Sequence, residues 1–199
     1  LSRTANLSHK EIATELNISE QTVRKHIQHA LRQLKSKFGI LAFIITVVFD
    51  VVVAWALRQL YPTHPLSGLS TYFRMMHAAI MSVAVFALPM ALHASTSEEI
   101  PRQVDIFNTI WLIGLFFFGI HLILLGKILI KPRFIAFFLM IAGIMYMVDT
   151  GAHFLLPDYD AYGSIFLALV AIPSIVGEMS FAIWLLTRGD KAESLQNRN

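Results

Sequence analysis

Hydrophobic and polar positions change pattern near Phe38. Before it, apolar residues recur at helical spacing among polar ones. Ile12, Ala13 and Leu16 mark a short first helix, opened by Ser8 as N-cap with Glu11 three residues on, a capping box. Asn17 follows where a tight turn needs a residue that tolerates left-handed backbone. Ser19 is a second N-cap. Val23, Ile27, Ala30, Leu31 and Leu34 then give a longer second helix one apolar face. Two helices joined by roughly three or four residues form a helix-turn-helix.

After Phe38 the apolar residues run on without a polar face. Five stretches, near 38–60, 73–93, 105–130, 133–156 and 161–187, each approach the length that crosses a hydrocarbon core of roughly 30 Å. Between them lie YPTHPLSG (61–68), HASTSEEIPRQ (93–103), KPR (131–133) and PDYDAYG (157–163), all rich in turn or polar residues. Pro89 and Pro173 are expected to kink their helices. The predicted fold class is all-α, a short N-terminal helix-turn-helix followed by a five-helix transmembrane bundle. The expected domains are 1–37, 38–190 and a polar tail, 191–199.

Composition agrees with two parts in two solvents. The chain is 56% hydrophobic and 15% charged, against roughly half and a quarter in soluble domains. Residues 1–39 carry seven basic and three acidic residues, so the net charge of +3 belongs to the N-terminal piece. A basic surface there suits nucleic acid or anionic lipid. Cysteine is absent, which removes thiol and disulfide chemistry. The chain opens on Leu1 with no signal peptide ahead, so a longer parent product is one expectation.

The second N-terminal helix has a specific layout. Glu20, Gln21, Arg24, Lys25 and Gln28 lie on its first exposed turns, with reach to base edges in a major groove. Ser19 and Thr22 sit at its N-terminus, where backbone N–H groups favour a phosphate. On charge alone, a solvated basic hairpin explains the pattern equally well. The stretch LSHKEIATELNISEQTVRKHIQHALRQLK (7–35) resembles the −35-reading C-terminal region of extracytoplasmic-function sigma factors. The carrying residues are Leu7, Ser8, Lys10, Glu11, Ile12, Ala13, Glu15, Leu16, Ile18, Ser19, Thr22, Val23, His26, Ile27, Ala30, Leu31 and Leu34. Response-regulator output domains share part of this pattern. The sigma resemblance implies that Glu20, Gln21, Arg24 and Lys25 occupy recognition positions, and that DNA and RNA polymerase are partners. The sigma region that grips the −10 element has no counterpart here, so the chain is not expected to act alone as a sigma factor.

DVVVAWAL (50–57), YFRMMHAAI (72–80), FFGIHLILLGKILI (117–130), PRFIAFFLMIAGIMYMVD (132–149) and GEMSFAIWLLTRG (177–189) resemble a bacterial membrane family known as domain of unknown function 4386. That resemblance implies a fold and no activity. The family pattern carries a further helix upstream, where the sigma-like segment stands here.

This substitution affects topology. With residues 1–37 in the cytoplasm, Arg58, Arg74, Lys127, Lys131, Arg133, Arg188, Lys191 and Arg198 fall outside, and only Arg102 falls inside. Basic residues prefer the cytoplasmic side, so the bias is reversed. Three arrangements account for it: a first apolar stretch that does not span, with Asp50 at its centre; an N-terminus held inside by its own basic residues; or a gene fusion joining a sigma tail to a truncated membrane protein near 38–50. Fusion is the favoured reading.

Asp50, His77, His121, Asp149, His153 and Glu178 lie within or at the rims of the apolar stretches, where charge is costly and usually faces the bundle interior. Asp149 and His153, four apart, share a helix face and with His121 and Glu178 form a candidate polar cavity. Its functional readings are a proton pathway or a metal site, the metal unspecified. Interhelical hydrogen bonding is the favoured reading. Arg74 and Lys127 are read as snorkelling to the interface, and Trp55, Trp111 and Trp184 as anchors. No metalloprotease or nucleophile-elbow motif is present, so neither an enzyme nor a cofactor is expected. The expected protein is a membrane-anchored DNA-binding protein of a bacterial inner membrane, with a promoter −35-like element, RNA polymerase and the bilayer as partners and any small-molecule ligand unassigned. The alternative is a transporter, sensor or metal-binding membrane protein with a vestigial sigma fragment.

Overall fold

A computed structural model of the 199-residue chain describes residues 19–92 and 98–187. The first helix of the expected helix-turn-helix, its turn at Asn17 and the tail 191–199 lie outside the described residues. No strand occurs among the residues described. The helices are α1 (Glu20–Leu60), α2 (Ser67–Leu92), α3 (Glu99–Ile128), α4 (Arg133–Leu155) and α5 (Tyr159–Ser174), the last continuing through a π-helical segment, Ile175–Met179, to residue 187. The chain divides into two units, Leu1–Phe43 and Ile44–Asn199.

Five helices are long and apolar enough to cross a membrane: Phe38–Leu60, Ser67–Ala91, Glu99–Ile128, Arg133–Leu155 and Tyr159–Thr187. A span of 23 residues rises about 35 Å at the helical pitch, enough for the hydrocarbon core. α1 opens as expected, with the Ser19 hydroxyl accepting the Thr22 backbone N–H at 3.1 Å. α2 and α3 each begin about six residues earlier than their hydrophobicity indicates. At α2, the Ser67 N–H bonds the His64 carbonyl at 2.9 Å, and the Thr71 hydroxyl returns a bond to the Ser67 carbonyl at 2.8 Å. Polar residues there satisfy their groups within the helix instead of forming a loop. At α3, Pro101 sits in the first turn, where a missing N–H costs nothing.

In the second unit, α2 packs on α3, α3 on α4, and α4 on α5. Lipid is as apolar as leucine, so close packing must hold these helices together. The α3–α4 seam shows how. A methyl on Gly119 would lie 2.6 Å from the Gly143 carbonyl oxygen, and one on Gly126 would lie 2.7 Å from the Ala136 carbonyl. Gly119 and Gly126 are seven residues apart on α3, as are Ala136 and Gly143 on α4. Two backbones thus touch along two turns where no larger residue fits. Around that seam Leu57, Tyr61, Phe118, Leu122, Leu125, Leu139, Ala142 and Phe181 form the apolar core. α1 gives few residues to it. Val48, Phe49, Val52 and Trp55 are exposed, which at bilayer depth means facing lipid.

Candidate functional site

α2 presents Ser67, Ser70, Arg74 and His77 at spacings of three and four, a polar stripe on an otherwise apolar helix. A stripe at that spacing is one helix face, and in lipid it must turn inward or find partners. It turns inward: Ser67, Ser70 and His77 are buried, and the Arg74 side chain is only 14% exposed.

Arg74 is the hub. Its Nη2 donates to Asp50 Oδ1 on α1 at 2.6 Å, and its Nη1 donates to His121 Nε2 on α3 at 3.3 Å. A guanidinium can only donate, so His121 Nε2 accepts and the proton sits on Nδ1. That nitrogen lies 3.0 Å from the Ser70 carbonyl and 2.9 Å from the Ser70 hydroxyl. His121 is therefore a neutral ring, fixed at both ends and 1% exposed. The guanidinium carbon also stands 5.3 Å from the centre of the Phe118 ring, a cation–π contact. His77 and His121 flank that same ring at 4.9 and 5.9 Å.

His77 joins the network from the other side. Its Nδ1 lies 2.9 Å from the Gly114 carbonyl, an obligate acceptor, so that nitrogen carries a proton. Its Nε2 faces Asp50 Oδ2 at 3.6 Å. Asp50 is thus shared between Arg74 and His77. From α5, Glu178 comes within electrostatic reach of Arg74 and Asp50, and its Oε1 accepts from the Tyr146 hydroxyl at 3.4 Å. Glu178 stands in the π-helical segment just after Pro173. Such a bulge re-aims side chains and is frequent at functional sites. The Gly177 backbone beside it lies against the α4 backbone at Phe138 and Leu139, so the bulge is fitted into the seam.

The six intramembrane residues named from the sequence divide between two places. Asp50, His77 and His121 meet around Arg74, with Glu178 facing them. Asp149 and His153 stand apart, near the end of α4. Asp149 accepts from the Tyr159 hydroxyl at 2.6 Å, while His153 is exposed with its ring against Tyr159. Shared helix face did not bring this pair to the interior, because the start of α5 folds over it. Among the described residues, no three His, Cys, Asp or Glu side chains converge as a cation's ligands. Arg74 does not snorkel. A carboxylate on the neighbouring helix holds it inside, since a desolvated charge is retained only with a counter-charge. Lys127 is exposed. Arg74, Ser70 and Tyr146 were missed as site residues, although the α2 stripe was a signal for the first two.

Beside the network, Tyr61, Ser67, Ser70, Thr71 and His121 line a cavity of about 10 Å³, room for one water at most. The buried Tyr61 hydroxyl has no partner, and burial pushes its pKa up to about 12. An apolar groove of about 610 Å³ runs between α4 and α5, along Ile141, Met145, Ile165 and Leu169.

At the N-terminal end, Gln21 and Lys25 are exposed one turn apart on α1, and Thr22 is half-buried beside the Ser19 cap. The side chains of Glu20, Arg24 and Gln28 lie outside the described residues.

Residues 19–189 match the family described as domain of unknown function 4386. The chain belongs to that family. An uncharacterized protein of Archaeoglobus fulgidus is 29% identical over 160 residues, covering 77% of this chain and 85% of the relative. Residues 1–34 match a second family, sigma-70 region 4, so the two matched ranges overlap over 19–34. The two matches together fit a fusion of a 4386-family bundle with a sigma-70 region 4 segment. No solved structure matches the chain.

Proposed function

We propose that this is a membrane-anchored DNA-binding protein acting in transcription initiation or its regulation, with the sigma-like segment 1–37 reading a promoter −35-like element. The carrying observation is the start of α1. There a Ser19-capped helix shows Gln21 and Lys25 to solvent one turn apart, inside the segment that matches sigma-70 region 4. Polar reach at successive turns of a capped helix is what groove reading needs. On this reading Glu20, Gln21, Arg24, Lys25 and Gln28 face the duplex, Ser19 and Thr22 set the helix N-terminus against a phosphate, and RNA polymerase binds the same segment. The bundle holds it at a bacterial inner membrane with the N-terminus in the cytoplasm.

The test is a gel shift with the full chain in lipid nanodiscs. Duplex binding that weakens steeply with salt is expected. Arg24→Ala and Lys25→Ala should each weaken it about 5- to 150-fold, from about 1–3 kcal/mol per lost base contact. Absence of binding at low salt, or indifference to both substitutions, would sink the proposal.

The loop charges favour a second reading, in which the N-terminus is external, the sigma-like segment is vestigial and activity lies in the bundle. Lys127, Lys131 and Arg133 are all exposed around the α3–α4 turn. Their side of the membrane decides between the two.

A further inference from the structure

The charges inside the bundle do not balance. Arg74 supplies one positive charge. Asp50 and Glu178 supply two negative charges when both are ionised. His121 is neutral, because its Nε2 accepts from Arg74 and its Nδ1–H faces Ser70. Tyr146 is a neutral donor to Glu178. That leaves one uncompensated negative charge at bilayer depth, where even a single unpaired charge is expensive.

Two atoms are placed to remove it. His77 Nε2 points at Asp50 Oδ2 from 3.6 Å while its other nitrogen already donates to Gly114. A proton there would give the ring two acceptors for two donors. Glu178 is the other place, its carboxylate met by the Tyr146 hydroxyl at 3.4 Å and by the neighbouring Ser174, both neutral groups. Arg74 Nε is buried with no acceptor, which leaves a guanidinium donor uncommitted.

We propose that Asp50, Arg74, His77 and Glu178 form an intramembrane binding site for one exchangeable proton, held either between His77 and Asp50 or on Glu178. The proton comes from hydronium at the membrane surface and adds to the Nε2 lone pair or to a carboxylate oxygen, leaving water. Its release reverses the step. Arg74 neutralises whichever carboxylate is ionised. The groups facing the site are Asp50 from α1, Arg74 and His77 from α2, His121 and Phe118 from α3, Tyr146 from α4 and Glu178 from α5. This makes the bundle a proton-binding element in its own right, independent of any DNA role.

The site is tested with the full chain in lipid nanodiscs at neutral pH. Infrared spectra read the carboxylic-acid band, and nitrogen-labelled histidine read by NMR reports imidazolium. Wild type should show one of the two signatures, exchanging in heavy water. Glu178→Gln removes the excess negative charge without touching the Asp50–Arg74 pair, so the signature should be lost while the fold remains. Replacing sodium with choline should change nothing. Identical carboxyl and imidazole protonation in wild type and Glu178→Gln would overturn the proposal. So would a signature that appears only when sodium is withdrawn, which would make the ligand a metal cation. Should Glu178→Gln fail to fold, the wild-type spectra decide: absence of both the carboxylic-acid band and the imidazolium signal at neutral pH overturns the proposal.

Discussion

At the scale of single residues, Arg74 is the side chain whose partners explain the most. It is held by Asp50 and His121 and capped by the Phe118 ring, so removing Arg74 strands two carboxylates and removing Asp50 takes away the one carboxylate in direct contact with Arg74. Breaking a buried pair costs about 3–5 kcal/mol. Arg74→Gln and Asp50→Asn are each expected to lower the thermal midpoint in detergent strongly. The double variant should recover a large part of that loss, because the carboxylate it leaves, Glu178, can be neutralised by one proton. Additive losses in this double-mutant cycle would show the 2.6 Å contact to be energetically idle. Tyr61 offers a contrasting case outside the spans. Its hydroxyl is buried without a partner, and its folded pKa, about 12, lies above the ordinary 10.0. The folded state thus holds the phenolic proton more tightly than the unfolded state. The associated stability is fully present below pH 10 and drains away as pH rises towards 12. Tyr61→Phe should remove that alkaline loss and leave neutral stability unchanged or slightly raised. A clear fall in neutral stability would mean the hydroxyl has a bonding partner.

At the scale of elements, the α3–α4 seam depends on two glycines that touch through their backbones. Gly119→Val places a branched side chain against a backbone oxygen that a methyl would already approach to 2.6 Å. Overpacking of that kind costs about 1–3 kcal/mol. Gly151→Ala is the control on α4. Nothing lies within 4 Å of its added methyl, and the gain in helix propensity, up to about 1 kcal/mol, should leave the melting midpoint unchanged or higher. Equal melting of the two variants would mean the seam is loose. The helices themselves were legible in the sequence, because a run of apolar residues as long as the bilayer is thick has few other readings. Their starts were not. Ser67 and Ser70 read as loop residues, since hydropathy cannot see a hydroxyl bonding back into its own helix or to a buried histidine. The site was half legible. Asp50, His77, His121 and Glu178 stood out as charges at depth. The hub did not, because whether Arg74 snorkels or turns inward depends on a carboxylate 24 positions away on another helix. Asp149 and His153 show the converse. Local spacing placed them correctly on one face, but only the fold shows that Tyr159, not the bundle interior, covers it.

At the scale of the whole molecule, two charge distributions compete for the orientation of one chain. Seven basic residues precede the first span, which begins at Phe38, while Lys127, Lys131 and Arg133 cluster at the α3–α4 turn. Arg74 leaves this contest, because it is paired inside the bundle and no longer counts as a loop charge. The same pair bears on whether α1 spans at all. A first stretch lying outside the bilayer would strand Arg74 without Asp50, at the cost of an unpaired buried charge. Five spans put the two ends of the chain on opposite faces, so a single orientation measurement fixes every loop. The absence of cysteine makes that measurement direct, since any introduced thiol is the only one. The DNA-binding proposal predicts that Ser2→Cys and Pro157→Cys stay protected from a membrane-impermeant maleimide in intact cells, and that Thr63→Cys and Lys131→Cys are labelled. The pull of Lys127, Lys131 and Arg133 predicts the reverse. Labelling at residues 2 and 157 alone would remove the sigma-like segment from the chromosome's side of the membrane. The proton site would be untouched, because Asp50, Arg74, His77 and Glu178 keep their geometry whichever way the bundle is inserted.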